Sequence, residues 1–550
     1  MPDLNLYLSP SFDNDGAAQY IDVRMTFDTT QKHKDDMLFH QTLARGPVPT
    51  MQYTADVIQL RDSRGIVPIN TEDTKGGRQR NFRIERDLPP GRLIVDYRAM
   101  PREVNELTQC GPQIALEKDG RGLTGAGMAF IIGLASEDVL FDITIEWNLS
   151  SAPPGTRALC TFGEGQRVST RQKASVLDEC FFALGALKSY PPETTGGQYG
   201  MYWLDDPPFD ASALGKQLEC LLPKMIALFH DQESLYRIFI RRNVYKCVSG
   251  RGLHRGFVFA WTSVSPRDED MITEFLYHEI VHNWPRLGFT TGGAEDLVDG
   301  WFNEGIAEYY SLILPYRFGI FKENEFVYRL NRRISGYYTN PDRSVPNKEV
   351  PEKFWQGGHI NRIPYQRGFM YFMKLAYQLH QSKRRSLDAL INEMVHLRTT
   401  DQPHGIKAWL SMVEVELGPG AFTDYRDMSD AKLIILPSDY LGTLIEDCKW
   451  TLERQDQEEF YLGFPEANLS TKPRIVRRLD PKSRAAEAGV REGDAVTQNF
   501  SYFFDAEGWD KSFTMTVTRS KDKGSPDELV ELTWWPRTWE KVESYQFGPI

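Results

Sequence analysis

The chain has 550 residues, with 64 basic and 76 acidic side chains and a formal net charge of −12. That length is too great for one core and predicts about three or four domains, while the acidic balance, with no long lysine or arginine run, argues against a nucleic-acid or polybasic membrane surface. No stretch approaches about eighteen uninterrupted apolar residues, so no membrane span is expected. The six cysteines, at 110, 160, 180, 220, 247 and 448, show no paired spacing, and Met1-Pro2-Asp3-Leu4-Asn5 lacks the charged and apolar pattern of a secretory leader. Both point to a reducing, cytoplasmic setting.

The first third reads as strands. Ile21, Val23, Met25 and Phe27 alternate with Asp22, Arg24 and Thr26, and Phe141, Ile143, Ile145 and Trp147 alternate with Asp142, Thr144 and Glu146. Period-two alternation is the mark of half-buried strands. Polar, glycine-bearing stretches such as Ser63-Arg64-Gly65 and Asp73-Thr74-Lys75-Gly76-Gly77 supply the loops, and residues 1–165 are expected to form a β-sheet domain.

From about residue 166 the pattern alternates between helix and strand. A helix is expected near Arg171 to Leu187, a loop through Pro191-Pro192 and Gly196-Gly197, and a second helix near Ser212 to His230. Strands follow at 236–240 and at Phe257-Val258-Phe259-Ala260-Trp261, directly before a helix whose start is signalled by Ser265-Pro266-Arg267-Asp268-Glu269-Asp270: an N-cap serine, a proline in the first turn and acids suited to the helix dipole. Ile272, Phe275, Leu276, Ile280 and Val281 surround that helix with apolar side chains, and Pro285 and Gly288 end it.

The same helix carries His278-Glu279-Ile280-Val281-His282. Histidines four apart lie on one helix face and can chelate one metal, and the intervening Glu279 can reach a metal-bound water. A hydrolytic zinc needs three protein ligands and an open position. Glu304, in the helical segment Trp301-Phe302-Asn303-Glu304-Gly305-Ile306-Ala307-Glu308 that Pro315 should close, is the candidate third ligand. Glu308 falls one turn later, either as an outer-shell partner of a ligating histidine or as an ordinary solvated carboxylate. A buried helix bearing two histidines and a glutamate leaves polar groups unpaired unless a metal or a network satisfies them.

These motifs resemble those of the gluzincin aminopeptidases, whose third zinc ligand sits in a similar Trp-x-Asn-Glu-Gly phrase. Ile363-Pro364-Tyr365-Gln366-Arg367-Gly368 resembles that group's Pro-Tyr-x-Lys-Gly segment, and the resemblance implies that the Tyr365 hydroxyl stabilises the oxyanion. The element order from 166 onward is similar to a thermolysin-like domain, in which the last strand before the zinc helix borders the cleft and can pair with an extended peptide.

Tyr461-Leu462-Gly463-Phe464 and Ala485-Ala486-Glu487-Ala488-Gly489-Val490-Arg491-Glu492-Gly493-Asp494 resemble a PDZ domain, with Tyr461 in place of the usual first glycine. A hairpin of Phe513 to Thr518 with Leu529 to Trp534 would close its sheet, in either a peptide-binding or a purely structural role. With the zinc motif, the combination resembles the glycyl aminopeptidase family. The resemblance implies a multidomain α+β protein: an N-terminal β-sheet domain (1–165), a thermolysin-like zinc catalytic domain (166–390), a helical region (391–452) and a C-terminal PDZ-like β domain (453–550).

The implied activity is that of a metallopeptidase, an aminopeptidase for short peptides, with one Zn2+ per chain held by His278, His282 and Glu304. Glu279 and Tyr365 would be the catalytic residues. The partners expected are a peptide substrate and a peptide ligand of the PDZ-like domain, with no nucleic acid and no membrane.

The chain departs from the family in two places. Its segment Gly250-Arg251-Gly252-Leu253-His254 has His254 where the family has a glutamate that binds the substrate amine, so Gly252, Leu253 and His254 are the candidate substrate-binding residues. The interval from His282 to Glu304 is also longer, with Thr290-Thr291-Gly292-Gly293 as the extra loop. The alternative, a low-turnover protein that binds peptides through its cleft and PDZ groove, stays open because of His254. So does a zinc hydrolase of another small substrate.

Overall fold

The computed structural model describes residues 2–45, 48–74, 76–106, 108, 111, 113–135, 139–192, 199–232, 235–245, 249–262, 269–287, 298–354, 357–470, 473–497, 512–519 and 528–550. The chain divides into two compact units, 1–226 with 231–283, and 227–230 with 284–550.

In the first unit, β1 (Asp3–Phe12), β2 (Ala18–Thr29), β3 (Gln59–Asp62), β4 (Gly65–Ile66), β5 (Gly91–Ala99), β6 (Leu140–Trp147) and β7 (Arg167–Lys173) form one sheet in the order β7-β6-β1-β2-β5-β3-β4. The alternation seen in the sequence is the alternation of burial. Ile21, Val23, Met25 and Phe27 are buried, as are Phe141, Ile143, Ile145 and Trp147, while Asp22, Arg24 and Asp142 face solvent. Ser63-Arg64 turns the chain between paired Asp62 and Gly65.

The helix expected near Arg171 to Leu187 is not there. β7 pairs with β6, and β8 (Phe181–Gly185) pairs with strands at Leu123 and at Cys160, leaving only a short 3-10 turn at Ala174–Glu179. The reason is burial on both faces: Phe181-Phe182-Ala183-Leu184-Gly185 is buried throughout, and a continuous apolar run carries no period that distinguishes strand from helix.

A second sheet carries the elements nearest the histidines. It comprises β9 (Lys188–Tyr190), β10 (Tyr199–Trp203), β11 (Tyr236–Asn243), β12 (Ser249–Leu253) and β13 (Gly256–Thr262), in the order β9-β10-β11-β13-β12. Helix α1 (Ala211–Leu228) makes the crossover between the parallel strands β10 and β11. β13 is not the edge expected of it: β11 takes one side and β12 the other, antiparallel, so β12 ends the sheet. Helix α2 (Glu269–Val281) follows β13. The capping residues Ser265 to Asp268, like Gly288 and the loop Thr290 to Gly293, lie outside the described residues.

The second unit opens with helices α3 (Gly300–Arg317), α4 (Glu323–Thr339), α5 (Gly358–Ser382), α6 (Leu387–Thr399), α7 (Ile406–Leu417) and α8 (Gly420–Ser429). Pro315 lies inside the last turn of α3 rather than closing it, and Phe318 beyond the helix end donates back to the Leu314 carbonyl.

Strands β14 (Trp450–Arg454), β15 (Gln457–Phe460), β16 (Ala495–Val496), β17 (Phe513–Arg519), β18 (Glu528–Trp534), β19 (Arg537–Val542) and β20 (Tyr545–Pro549) follow. The expected hairpin is present, with Phe513 opposite Trp534 and Thr518 opposite Leu529. Leu462, Phe464, Val476, Ala485, Met515, Val517 and Trp534 share its core. Gly463, at φ +96°, turns the Tyr-Leu-Gly-Phe loop into a short helix at Ala467–Ser470. The last strand is tied to α4: Asn331 donates to the Phe547 carbonyl and accepts from its N–H, and Gln546 donates to Ser335 Oγ at 2.6 Å. Among the described residues no helix is long and apolar enough to cross a membrane.

Candidate active site

Ile272, Leu276, Tyr277, Ile280 and Val281 are buried around α2, which fixes the helix by its apolar sides and leaves its polar residues to one face. His278 lies in the last turn of α2 and His282 one residue past its end, with Nε2 atoms 3.1 Å apart and rings nearly perpendicular at 83°. Two imidazole nitrogens on one tetrahedral zinc, each at about 2.1 Å, would stand about 3.4 Å apart. His278, His282 and Glu304 each offer a ligand atom within 4.8 Å of the others. Two imidazoles and a carboxylate are a donor set typical of a catalytic zinc with one position left open, so these residues fit that ion.

Glu279 is half-buried beside this face. Its charge is felt by two neighbours. The buried Tyr236 phenol of β11 is held well above its ordinary pKa, first by burial and then by Glu279. The Arg251 guanidinium of β12 is pushed down to about 10, by burial and then by Arg45, against the opposing pull of Glu179 and Glu279.

Glu304 and Glu308 lie one turn apart on α3. Glu308 is buried and accepts from Arg333 Nε at 2.9 Å through one of its two oxygens, so it is not the solvated helix carboxylate of the simpler reading. Arg333 also donates to Ser311. Tyr365 lies near the start of α5, half-buried, with the Arg362 guanidinium 5.0 Å from its ring centre. The basic residue of that segment, Arg367, holds the surrounding chain together. It is fully buried and donates to Asn347 Oδ1 at 2.5 Å and to the carbonyls of Arg343 and Val345. Burial lowers its pKa to about 10.

On β12, Gly252 is exposed and Leu253 is buried in an apolar cluster with Phe239 and Val258. His254 follows the strand, donates its backbone N–H to the Glu179 carbonyl at 3.0 Å and packs against Phe162. Glu295 and Asp296, acids near the histidines in sequence, lie outside the described residues. Sequence reasoning missed Tyr236 and Arg251 as neighbours of Glu279. Only the arginine in an otherwise glycine-rich edge segment could have drawn notice.

Residues 289–355, a stretch containing Glu304 and Glu308, match the family model of the M61 glycyl aminopeptidases. No curated protein matches the chain. Among solved structures, an aminopeptidase N family protein from Idiomarina loihiensis is 13% identical, with a TM-score of 0.64 over 99% of this chain and 98% of that one. An M1 zinc metallopeptidase from Deinococcus radiodurans, crystallised as a mutant bound to a Tyr-Ser-Ala substrate, is 14% identical over 79% of this chain and 94% of that one, with a TM-score of 0.45. The Idiomarina protein and this chain share a fold along nearly their whole lengths.

Proposed function

We propose that the protein is a zinc metallopeptidase acting on short peptides, with His278, His282 and Glu304 as ligands of a single zinc, Glu279 and Tyr365 as catalytic residues, and Gly252, Leu253 and His254 along the substrate strand. The observation that carries this reading is the group of three donors within 4.8 Å of one another, next to a carboxylate that is not among them. Zinc, when bound, makes a coordinated water acidic near neutral pH and polarises the scissile carbonyl. Glu279 takes the proton of the attacking water and returns it to the leaving amine. The Tyr365 hydroxyl donates to the carbonyl oxygen as negative charge builds on it. Glu308, held by Arg333, serves as an outer-shell carboxylate that orients a ligating histidine.

The match to the M61 family model and the shared fold support an aminopeptidase-like hydrolase. The C-terminal strands form a PDZ-like module that offers a groove to a second peptide, and the protein works in the cytoplasm. Metal content measured alongside turnover of free and N-blocked aminoacyl amides tests the reading. About one zinc per chain and hydrolysis of at least one series are expected; a metal-replete protein that cleaves neither would overturn it.

A further inference from the structure

Several buried or half-buried arginines of the protein have partners. Arg241 meets Glu117, Arg255 meets Asp231, Arg333 meets Glu308 and Arg367 holds two carbonyls and an amide oxygen. Arg251 is different. Its Nε, like that of Arg241, is buried with no hydrogen-bond partner among the described residues, but unlike Arg241 it also has no ion pair there. A desolvated, unpaired guanidinium costs stability, and its planar fork is shaped to take a carboxylate through two parallel hydrogen bonds.

The position of Arg251 links that cost to the site. It sits at the middle of β12, opposite Val258, on the strand that ends the sheet and can accept an extended peptide alongside it. Alternation puts Arg251 on the face of Leu253 and puts Gly250 and Gly252 on the other. A side chain at 250 would run into Phe257 and Phe275, whereas one at 252 would meet nothing within 4 Å. Gly250 is thus covered by those two rings, Gly252 is the open position of the strand, and Arg251 is the one charged side chain that the strand carries. Glu279 is near enough for its charge to act on that guanidinium, as are Glu179 and, with the opposite sign, Arg45.

We infer that Arg251 binds a carboxylate of the substrate, so that the site takes anionic peptides in preference to neutral ones. This deepens the peptidase reading and rests on it for the location of the cleft. A carboxylate-bearing ligand supplies the acceptors that the described residues do not offer Arg251, and the strand beside it supplies backbone pairing for the rest of the peptide.

Binding tests the inference separately from turnover. The full-length, zinc-loaded protein carrying Glu279→Gln would be titrated calorimetrically with three probes: neutral acetyl-dialanine amide, succinyl-dialanine amide with its carboxylate at the amino end, and acetyl-dialanine with its carboxylate at the other end. At least one anion should bind about tenfold or more tighter than the neutral probe. Adding Arg251→Met should abolish that preference without lowering Tm, since it removes a half-buried charge that has no ion-pair partner among the described residues, and Arg251→Lys should keep part of it.

Equal binding of the three probes, a preference that survives Arg251→Met, or a fall of several degrees in Tm in that variant would overturn the assignment. If the wild type cleaves no peptide yet binds the anions through Arg251, the catalytic reading fails and this one stands.

Discussion

Gly305 and Gly368 meet where α3 crosses α5: a Cβ on Gly305 would lie 2.3 Å from the Gly368 carbonyl carbon, and one on Gly368 would lie 2.0 Å from the Trp301 carbonyl oxygen. Glu304 is the neighbour of the first glycine, and Tyr365 stands three residues before the second. Backbone-to-backbone contact therefore sets the separation of the helices that carry the proposed third ligand and the proposed oxyanion donor.

Gly305→Ala or Gly368→Ala must push the helices apart, and overpacking of this kind costs about 1–3 kcal/mol. Both variants should melt below the wild type and lose activity beyond what their folded fraction explains. Gly252→Ala, with nothing within 4 Å of its added Cβ, should leave Tm unchanged. Thermal melts with the specific activity of the folded fraction check this; wild-type behaviour of both helix variants would refute it.

Glu279→Gln should keep about one zinc per chain and lose turnover, because that carboxylate moves protons without holding metal. Glu304→Ala should lose metal under mild chelation. Metal analysis after dialysis distinguishes them, and the opposite pattern would exchange their roles.

Tyr365→Phe should lower kcat by on the order of a hundredfold and change substrate binding far less, since its hydroxyl is needed where charge develops. Steady-state kinetics suffice to test it. A kcat near the wild-type value would leave Tyr365 as a packing residue under Arg362.

Asp119 ties the stability of the first unit to pH. Its Oδ1 accepts from the Arg242 N–H, its Oδ2 is buried without a hydrogen-bond partner among the described residues, and burial, partly opposed by Arg241, raises its pKa from 3.8 to about 7. The folded state thus holds a proton that the unfolded chain releases. The stabilisation is fully present below the unfolded pKa of 3.8 and is lost as pH rises through about 7. Asp178, raised to about 7 chiefly by burial, acts in the same sense. Denaturant unfolding should show the protein less stable at about pH 7 than at about pH 5.5, by up to about 2 kcal/mol per group, and Asp119→Asn should flatten part of that slope. A profile unaltered by Asp119→Asn would rule this out.

Truncation after Leu452 would remove β20 and with it the bonds from Asn331 and Ser335 to Phe547 and Gln546. It would also remove Glu466, which accepts from the Gly358 N–H at the start of α5 at 2.6 Å and pairs with the buried His359. The shortened protein should be less soluble and lower in Tm, with activity reduced for all substrates alike. A soluble truncation that fails only on longer peptides would show instead that the C-terminal module recruits substrate.

The features legible in the sequence are those set by short-range periodicity. Residues four apart on a helix share a face whatever surrounds it, so His278 and His282 could be paired from spacing alone. Alternation assigned Ile21 to Phe27 and Phe141 to Trp147, and it placed the hairpin of Phe513 with Trp534. Tertiary structure decided what depends on partners distant along the chain. Phe181 to Gly185 became a strand because it is covered on both faces, which erases its period. β12 rather than β13 became the edge because strand order is set by pairing, not by sequence order. Arg367 and Arg251 look alike as single letters, yet one is surrounded by three acceptors while the buried Nε of the other meets none among the described residues, because acceptors come from segments that only folding brings near. The two motif glycines could be read as letters, but the contact between them exists only once α3 and α5 have packed.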